Sequence, residues 1–272
     1  MIADPGFIAI NREAELAKRV TCSGLTALRK ATPARPGIYY DAFFGLSIGL
    51  ERLAKLAWII DECIRRNGAF PTDKDLRSVG HDIQTLVKKA QLIQRRQSAY
   101  STLPSDSVTD YIIKFLSEFA DGTRYYNIDF FVGGKSKGMG DPIKTWHAKV
   151  GAAILALPEI RAKRQRWQAQ SQQVAGLISP AVVFATAADG TSLATVAELS
   201  ISESEASEIN KRAQWKILAI VRYLCLLIAD LADGAHAANL SFIPDMREHF
   251  GFFCGDDTIL HRYTTWPPRG IT

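Results

Sequence analysis

The chain has 272 residues, of which 47% are hydrophobic and 22% are charged, with 19 glycines and 11 prolines. This ordinary globular composition excludes long disordered, collagen-like and disulfide-scaffold proteins, and the length allows one large domain or two small ones. The 33 Lys and Arg residues exceed the 28 Asp and Glu residues by five, which permits contact with nucleic acid but does not establish it.

The first predicted helix runs from Tyr40 to Arg66. Its apolar residues recur at spacings of three to five, the period of a helix with one apolar face: Phe44, Ile48, Leu53, Leu56, Ile60 and Ile64. Asn67 and Gly68 tolerate the left-handed conformation common at helix ends, so we expect the helix to end there.

Two further helices are predicted in the next sixty residues. One begins near His81 or Asp82, and the other covers Asp106 to Asp121. The segment Gly122-Thr123-Arg124 breaks the pattern and precedes an aromatic cluster of Tyr125, Tyr126, Phe130 and Phe131. Four glycines between Gly133 and Pro142 indicate a mobile loop, after which Asp141 as cap and Pro142 in the first turn restart a helix.

The C-terminal half is predicted to contain two helices and a folded-back tail. Residues Ile160 to Gln173 form a basic, glutamine-rich helix, and Glu205 to Ala232 form a long one. The small, Thr- and Ser-rich residues from Ser179 to Ser202 predict an irregular excursion, and the aromatic tail from Phe250 to Trp266 is expected to pack on the body. We therefore predict one all-α domain over residues 1–272, with a core at about 39–235 and a tail at 236–272.

The cysteines and the apolar segments indicate a reduced protein outside the membrane. The four cysteines lie tens of residues apart: Cys22, Cys63, Cys225 and Cys254. They form no Cys-x-x-Cys pair and have no zinc-ligand spacing, so neither a metal nor a cofactor is predicted. Reduced thiols are the simplest interpretation, and we therefore expect cytoplasmic localisation. No signal peptide is evident. The most apolar segment, Ile217 to Ala232, contains Arg222 and Asp230 and is shorter than the roughly 20 residues of a membrane span.

Two short motifs carry a family resemblance. Residues 49–57 read GLERLAKLA, a helix in which Glu51 precedes Lys55 by four residues, and residues 80–86 read GHDIQTL at the start of the next helix. Together with Arg124-Tyr125 further on, they resemble the HEPN family of helical-bundle proteins over roughly residues 40–130. The resemblance implies an all-α, HEPN-like bundle, here with additional helices and an irregular C-terminal segment.

The same resemblance implies a family of metal-independent ribonucleases and toxins, which also has many members without nuclease activity. Active members use an Arg, four to six intervening residues and a His, often assembled across a dimer. Counted from Arg124, those positions hold Asp129, Phe130 and Phe131, so the motif is not matched. The nearest pair is Arg77 and His81, with only three residues between them.

His81 and His147 are the candidate histidines. His81 can act as acid or base on an RNA 2′-hydroxyl, with Arg77 stabilising phosphate charge. The alternative is that His81 and Asp82 only cap a helix, with Asp82 accepting backbone N–H groups. His147 lies beside the glycine-rich segment and lines a pocket with Lys144, or else it is a half-buried structural histidine.

Basic and aromatic residues supply the candidate RNA contacts. One set lies on the predicted basic helix: Arg161, Arg164, Arg166 and Trp167. The arginines can attract phosphates, and the Trp167 indole can stack on a base. The alternative is that these charges belong to a solvated helix face. Arg124 and Tyr125 are added to this set by the resemblance. The segment GGKS at 133–136 lacks the spacing of a phosphate-binding loop.

The leading interpretation is a cytoplasmic, non-catalytic HEPN-like protein that binds RNA or a protein partner as a homodimer packed through apolar helices. The resemblance implies a role in stress response, defence or a toxin–antitoxin system. Two alternatives remain open. One is a metal-independent ribonuclease using Arg77 and His81, and the other is a purely structural oligomeric protein. No membrane contact, metal or cofactor is predicted.

Overall fold

The computed structural model describes residues 4–97, 102–177 and 183–267, and within these ranges it confirms the all-α prediction. Its α-helices are α1 Pro5–Lys30, α2 Pro36–Arg65, α3 Asp73–Val79, α4 Ile83–Gln97, α5 Ser107–Asp121, α6 Tyr126–Val132, α7 Pro142–Trp146, α8 Ala152–Leu155, α9 Pro158–Leu177, α10 Val196–Ala237, α11 Arg247–Phe250 and α12 Asp257–Leu260. Short 3₁₀ helices span Thr123–Tyr125, Lys135–Met139 and Gly251–Cys254, and His147–Gly151 forms a π-helical turn.

The α1–α2 pair is the closest packing in the fold, and the sequence analysis assigned no helix to α1. Asp4 caps α1 by accepting from the N–H groups of Gly6 and Phe7. Where the two helices cross, a Cβ on Gly24 would lie 2.6 Å from the backbone nitrogen of Leu46. The backbones therefore approach at a distance that leaves no room for a side chain.

An aromatic cluster lies at the centre of the bundle around Phe43 of α2. The ring of Phe43 lies with its centroid 4.7 Å from that of Phe115, 5.2 Å from Trp146 and 5.5 Å from Phe119. All four side chains are buried. This cluster joins α2, α5 and α7, and one continuous apolar core extends from Ile10 in α1 to Trp266 in the tail.

The long helix α10 begins nine residues earlier than the sequence predicted. Thr195 and Glu198 form a capping box, in which each side chain accepts a hydrogen bond from the other's backbone N–H. Residues 196–202, predicted to be irregular, are therefore helical. Before them, Ala185–Thr186 pairs antiparallel with Ser192–Leu193. The remaining part of that predicted excursion, residues 179–182, lies outside the described residues.

The segment from Gly133 to Pro142, predicted as a loop, contains a short helix. Gly133 ends α6 in the left-handed conformation, with φ of 71°. The 3₁₀ helix Lys135–Met139 follows, and Gly140 turns the chain with φ of 87°. The predicted cap is present, because Asp141 accepts from the backbone N–H groups of Ile143 and Lys144.

In the described part of the chain, every helix is too short or too polar to cross a membrane. The four cysteines are free thiols, three of them buried. Burial raises the pKa of Cys22 to about 12 and that of Cys63 to about 11, so these thiols remain protonated and behave as small apolar groups.

Candidate functional site

The two motifs behind the family resemblance meet in space. Glu51 and Lys55 lie one turn apart on α2, and His81 lies immediately before Asp82 and the start of α4. Glu51 Oε1 is 2.8 Å from Lys55 Nζ and 2.8 Å from His81 Nδ1. Three side chains that the sequence separates by up to 30 residues therefore form one cluster at the surface.

The hydrogen bonds of this cluster assign the protons on His81. Glu51 can only accept, so Nδ1 carries the hydrogen that is donated to it. Lys55 Nζ lies 3.2 Å from the same Nδ1. The two nitrogens are close because both donate to the same oxygen, Glu51 Oε1. In the neutral ring Nε2 is then the proton acceptor, and 82% of the His81 side chain is exposed.

Helix capping is performed by Asp82, the neighbour of His81. Its carboxylate accepts from the Thr85 backbone N–H at 2.9 Å and from the hydroxyls of Thr85 and Ser117. Burial by itself would raise the pKa of Asp82, but these hydrogen bonds outweigh it and hold that pKa below its ordinary value. His81 has no part in the capping hydrogen bonds, and its ring is directed to Glu51.

Two concavities share His81 as a common wall. A cavity of about 630 Å³, here called the apolar groove, is lined by Ala9, Ile10, Glu13, Ile48, Glu51, Arg52, Lys55, Leu56, Ile59, Phe70, Leu76 and His81. A second cavity of about 620 Å³, the polar cleft, is lined by His81, Asp82, Gln84, Ser117, Glu118, Ala120, Asp121 and Arg124.

Arg124 lines the polar cleft beside His81, whereas Arg77 lines neither concavity. The Arg124 guanidinium lies 4.9 Å from the ring centroid of Tyr125, a half-exposed side chain, and lines the polar cleft. Arg77 forms an exposed ion pair with Asp73 at 2.8 Å. Within the described residues, no hydrogen bond or ion pair joins Arg77 to His81.

His147 lies in a separate, buried polar network. Its Nε2 is 3.0 Å from the hydroxyl of Tyr39, which in turn accepts from Asn210 Nδ2 at 3.0 Å. Burial lowers the pKa of His147 to about 4, against a smaller opposing effect of Asp189. Lys144, the other residue predicted here, lies beside Tyr39 in a cavity of about 190 Å³ and packs on Gly190 of the hairpin.

The half-buried His147 predicts an acid-sensitive fold. An unfolded chain protonates this histidine below its ordinary pKa of 6.5, but the folded chain does so only near 4. The unfolding free energy therefore falls as pH drops from about 6.5 to about 4, by up to ~3 kcal/mol from this group. In urea titrations across that range, His147→Gln should flatten the pH dependence relative to the parent. Equal slopes for parent and His147→Gln would contradict the assignment.

Two of the basic residues on helix α9 form ion pairs with α10, and two are exposed to solvent. Lys163 pairs with Glu208 at 2.9 Å and Arg164 with Glu205 at 2.7 Å, which fastens α9 to α10. Arg161 and Arg166 are exposed and have no ion pair among the described residues, and Trp167 is half-buried. Of the basic residues on α9, Arg161 and Arg166 are therefore the ones free to contact phosphate.

Glu51 and Lys55 entered the sequence analysis as a motif and not as site residues. Their four-residue spacing on a helix was the available signal, but nothing local connects them to His81.

The described residues contain no cluster of three or more His, Cys, Asp or Glu side chains able to hold a metal ion. Comparisons with protein-family models, curated proteins and solved structures gave no match.

Proposed function

We propose that this chain is a HEPN-like RNA-binding protein whose RNA site is the surface around His81. The observation that carries the proposal is an exposed imidazole, hydrogen-bonded to Glu51, that lines two cavities. A ring nitrogen presented to solvent is suited to hydrogen-bond a ribose hydroxyl or a phosphate. Its four free cysteines are consistent with a proposed action in a reducing compartment, the cytoplasm, in the stress or defence setting that the resemblance implies.

Arg124 is the proposed phosphate contact of this site. It lines the polar cleft on which His81 also borders, and its guanidinium is bound by no ion pair in the described chain. Arg161 and Arg166 on α9 supply further phosphate contacts. Because such contacts release counterions, binding is expected to weaken steeply with added salt.

Fluorescence anisotropy of a labelled structured RNA tests the binding proposal. In EDTA and low salt we expect a stable rise in anisotropy. Arg124→Gln should weaken binding by about tenfold and reduce the slope of log affinity against log salt by about one. Arg262→Gln, an exposed arginine outside both cavities, is the matched control and should bind as the parent does. A flat trace for the parent would refute RNA binding and favour the purely structural alternative.

A second candidate function, metal-independent RNA cleavage, is favoured by the hydrogen bond between Glu51 and His81. With Nδ1 donating to Glu51, Nε2 of the neutral ring is the nitrogen that can act as a base, as in other catalytic pairs of a carboxylate and a histidine. Nε2 would remove the 2′-hydroxyl proton, the 2′-oxygen would bond to phosphorus, and the bond to the 5′-oxygen would break. The proton would then pass to that 5′-oxygen, leaving a 2′,3′-cyclic phosphate. In the anisotropy assay, a rise that decays in EDTA would indicate this reaction.

Helix α6 is the proposed homodimer interface. None of its described residues is buried, and its side chains include Phe131, 85% exposed, and Val132, 73% exposed. Contiguous apolar exposure of this kind is typical of protein–protein contact surfaces. The adjacent Arg124 belongs to the polar cleft, so a dimer through α6 would bring two RNA sites near each other.

Substituting Phe131 with Asp is expected to convert the dimer to a monomer, because a desolvated carboxylate cannot be accommodated in an apolar interface. Light scattering coupled to size-exclusion chromatography measures the mass directly. Phe184→Asp is the matched control, since Phe184 is 97% exposed and lies in the hairpin segment. A parent that is monomeric at all concentrations would refute the dimer and favour a different protein as the partner of α6.

A further inference from the structure

We propose that the apolar groove beside His81 receives one unstacked nucleobase of a bound RNA. The inference rests on the proposed RNA-binding function and specifies how that site selects its ligand. The groove lies between α1, α2 and the segment around α3, and its walls are mostly aliphatic or aromatic. They include Ile10 and Leu56, which are buried, and Ile48 and Phe70, which are exposed to the cavity and solvent.

The size and the walls of the groove fit a flat ring. A volume of about 630 Å³ is within the range of roughly 300–1,000 Å³ that small-molecule sites occupy. Apolar side chains on both sides contact the faces of an aromatic ring without requiring hydrogen bonds. Single-stranded nucleic acids bind proteins largely through such contacts, because every base has an apolar face.

The polar residues of the groove select a neutral ligand with both donors and acceptors on its edge. Arg52 binds Glu13, with its NH1 2.7 Å from each carboxylate oxygen, and Lys55 binds Glu51 at 2.8 Å. A charged ligand, whether cation or anion, would be repelled by one member of each ion pair, Arg52–Glu13 and Lys55–Glu51. A purely aliphatic ligand would remove both pairs from water without replacing their hydrogen bonds, which is costly. A nucleobase avoids both penalties.

His81 connects the groove with the polar cleft, and so provides continuity along an RNA strand. His81 lines the groove and 82% of its side chain is exposed, so a base bound in the groove would bring its ribose close to that ring. The chain can then continue across His81 into the polar cleft, where Arg124 is available to the next phosphate. Base recognition and phosphate contact thus lie on opposite sides of one histidine.

Saturation-transfer NMR with the four nucleoside 5′-monophosphates tests the groove directly. Saturating the protein methyl groups should transfer magnetisation to the base protons more strongly than to the ribose protons, because the groove walls carry methyl groups. In parallel, anisotropy compares a short single-stranded RNA with the same strand carrying one abasic position at each site in turn. At one position, loss of the base should weaken binding by about tenfold.

Ile48→Trp is the diagnostic variant, since the larger side chain fills the groove from an exposed position and leaves His81 and Arg124 in place. We expect it to abolish the transfer to base protons and to lower RNA affinity by about tenfold, with the salt dependence unchanged. Ile259→Trp, a half-exposed isoleucine on α12, is the matched control and should behave as the parent. Circular dichroism checks that both variants are folded.

The failure of the groove and the failure of the RNA site give different results. Parent-like RNA affinity and base-proton transfer in Ile48→Trp would overturn the nucleobase inference while leaving RNA binding intact. RNA binding without any abasic effect would overturn it in the same way. Binding of the mononucleotides without binding of RNA would support a base-binding groove and refute the proposed function. Binding of neither would refute both.

Discussion

Under the second candidate function, metal-independent RNA cleavage, replacing His81 by alanine is expected to lower the cleavage rate by about 10²–10⁴-fold, the usual contribution of a general acid–base group. The reason is that Nε2 of His81 is the proton acceptor presented by the Glu51–His81 pair. The side chain is 82% exposed, so its removal leaves no core cavity and should change the melting temperature little. Time-dependent anisotropy in EDTA, followed by gel analysis of the products, measures the cleavage.

Two further variants separate the possible versions of the site. Glu51→Gln retains a hydrogen-bond acceptor for His81 but removes the charge that stabilises the imidazolium, so it should cause a smaller loss than His81→Ala. Arg77→Ala should leave cleavage unchanged, because Arg77 pairs with Asp73. If Arg77→Ala lowered the cleavage rate as much as His81→Ala does, the result would support the alternative in which Arg77 and His81 act together. Undiminished cleavage in His81→Ala would eliminate both versions.

Replacing Phe43 by alanine is expected to lower the unfolding free energy by about 3–5 kcal/mol, the cost of a large aromatic deletion in a closely packed core. Phe43 is fully buried, and its ring contacts those of Phe115, Phe119 and Trp146. The deletion would leave a cavity where α2, α5 and α7 meet. Urea denaturation followed by circular dichroism measures the change.

The neighbouring Phe44 provides the matched control for this substitution. Its ring lies 5.1 Å from Phe119, but the side chain is partly exposed and ends at the rim of the core. Phe44→Ala should therefore cost markedly less than Phe43→Ala, since solvent fills the space that it leaves. Similar losses for both variants would show that the centre of packing is not at Phe43.

Much of the helical structure could be predicted because its signals are local. The apolar period of α2, the Asp106 cap of α5 and the Asp141-Pro142 start of α7 each lie within a few residues of the element they define. One helix was missed although its signals are equally local. α1 begins at the Asp4 cap and Pro5 and buries Ile10, Leu25 and Leu28, but no helix was predicted there. The local sequence does not show why α1 also buries the small residues Ala14, Ala17 and Gly24. Their role becomes evident only where α2 approaches.

The candidate site could be predicted only in part. The sequence identified His81 as a candidate and Asp82 as a possible cap, and the structure assigns the capping hydrogen bonds to Asp82. The Arg77–His81 pair was inferred from sequence distance, which does not determine where two side chains point. The basic character of α9 was also visible, but not that Glu205 and Glu208, some forty residues later, neutralise two of its cations.

The sequence by itself determined an all-α chain, because helix period and capping depend on residues within one or two turns of each other. It also determined that Glu51 and Lys55 share a helix face, since a spacing of four residues aligns them. Only the tertiary structure decided that His81 joins them, that the half-buried His147 contacts Tyr39, and that α6 exposes Phe131. These features depend on which distant helices pack together, and packing is set by the shape of the whole core rather than by any one segment.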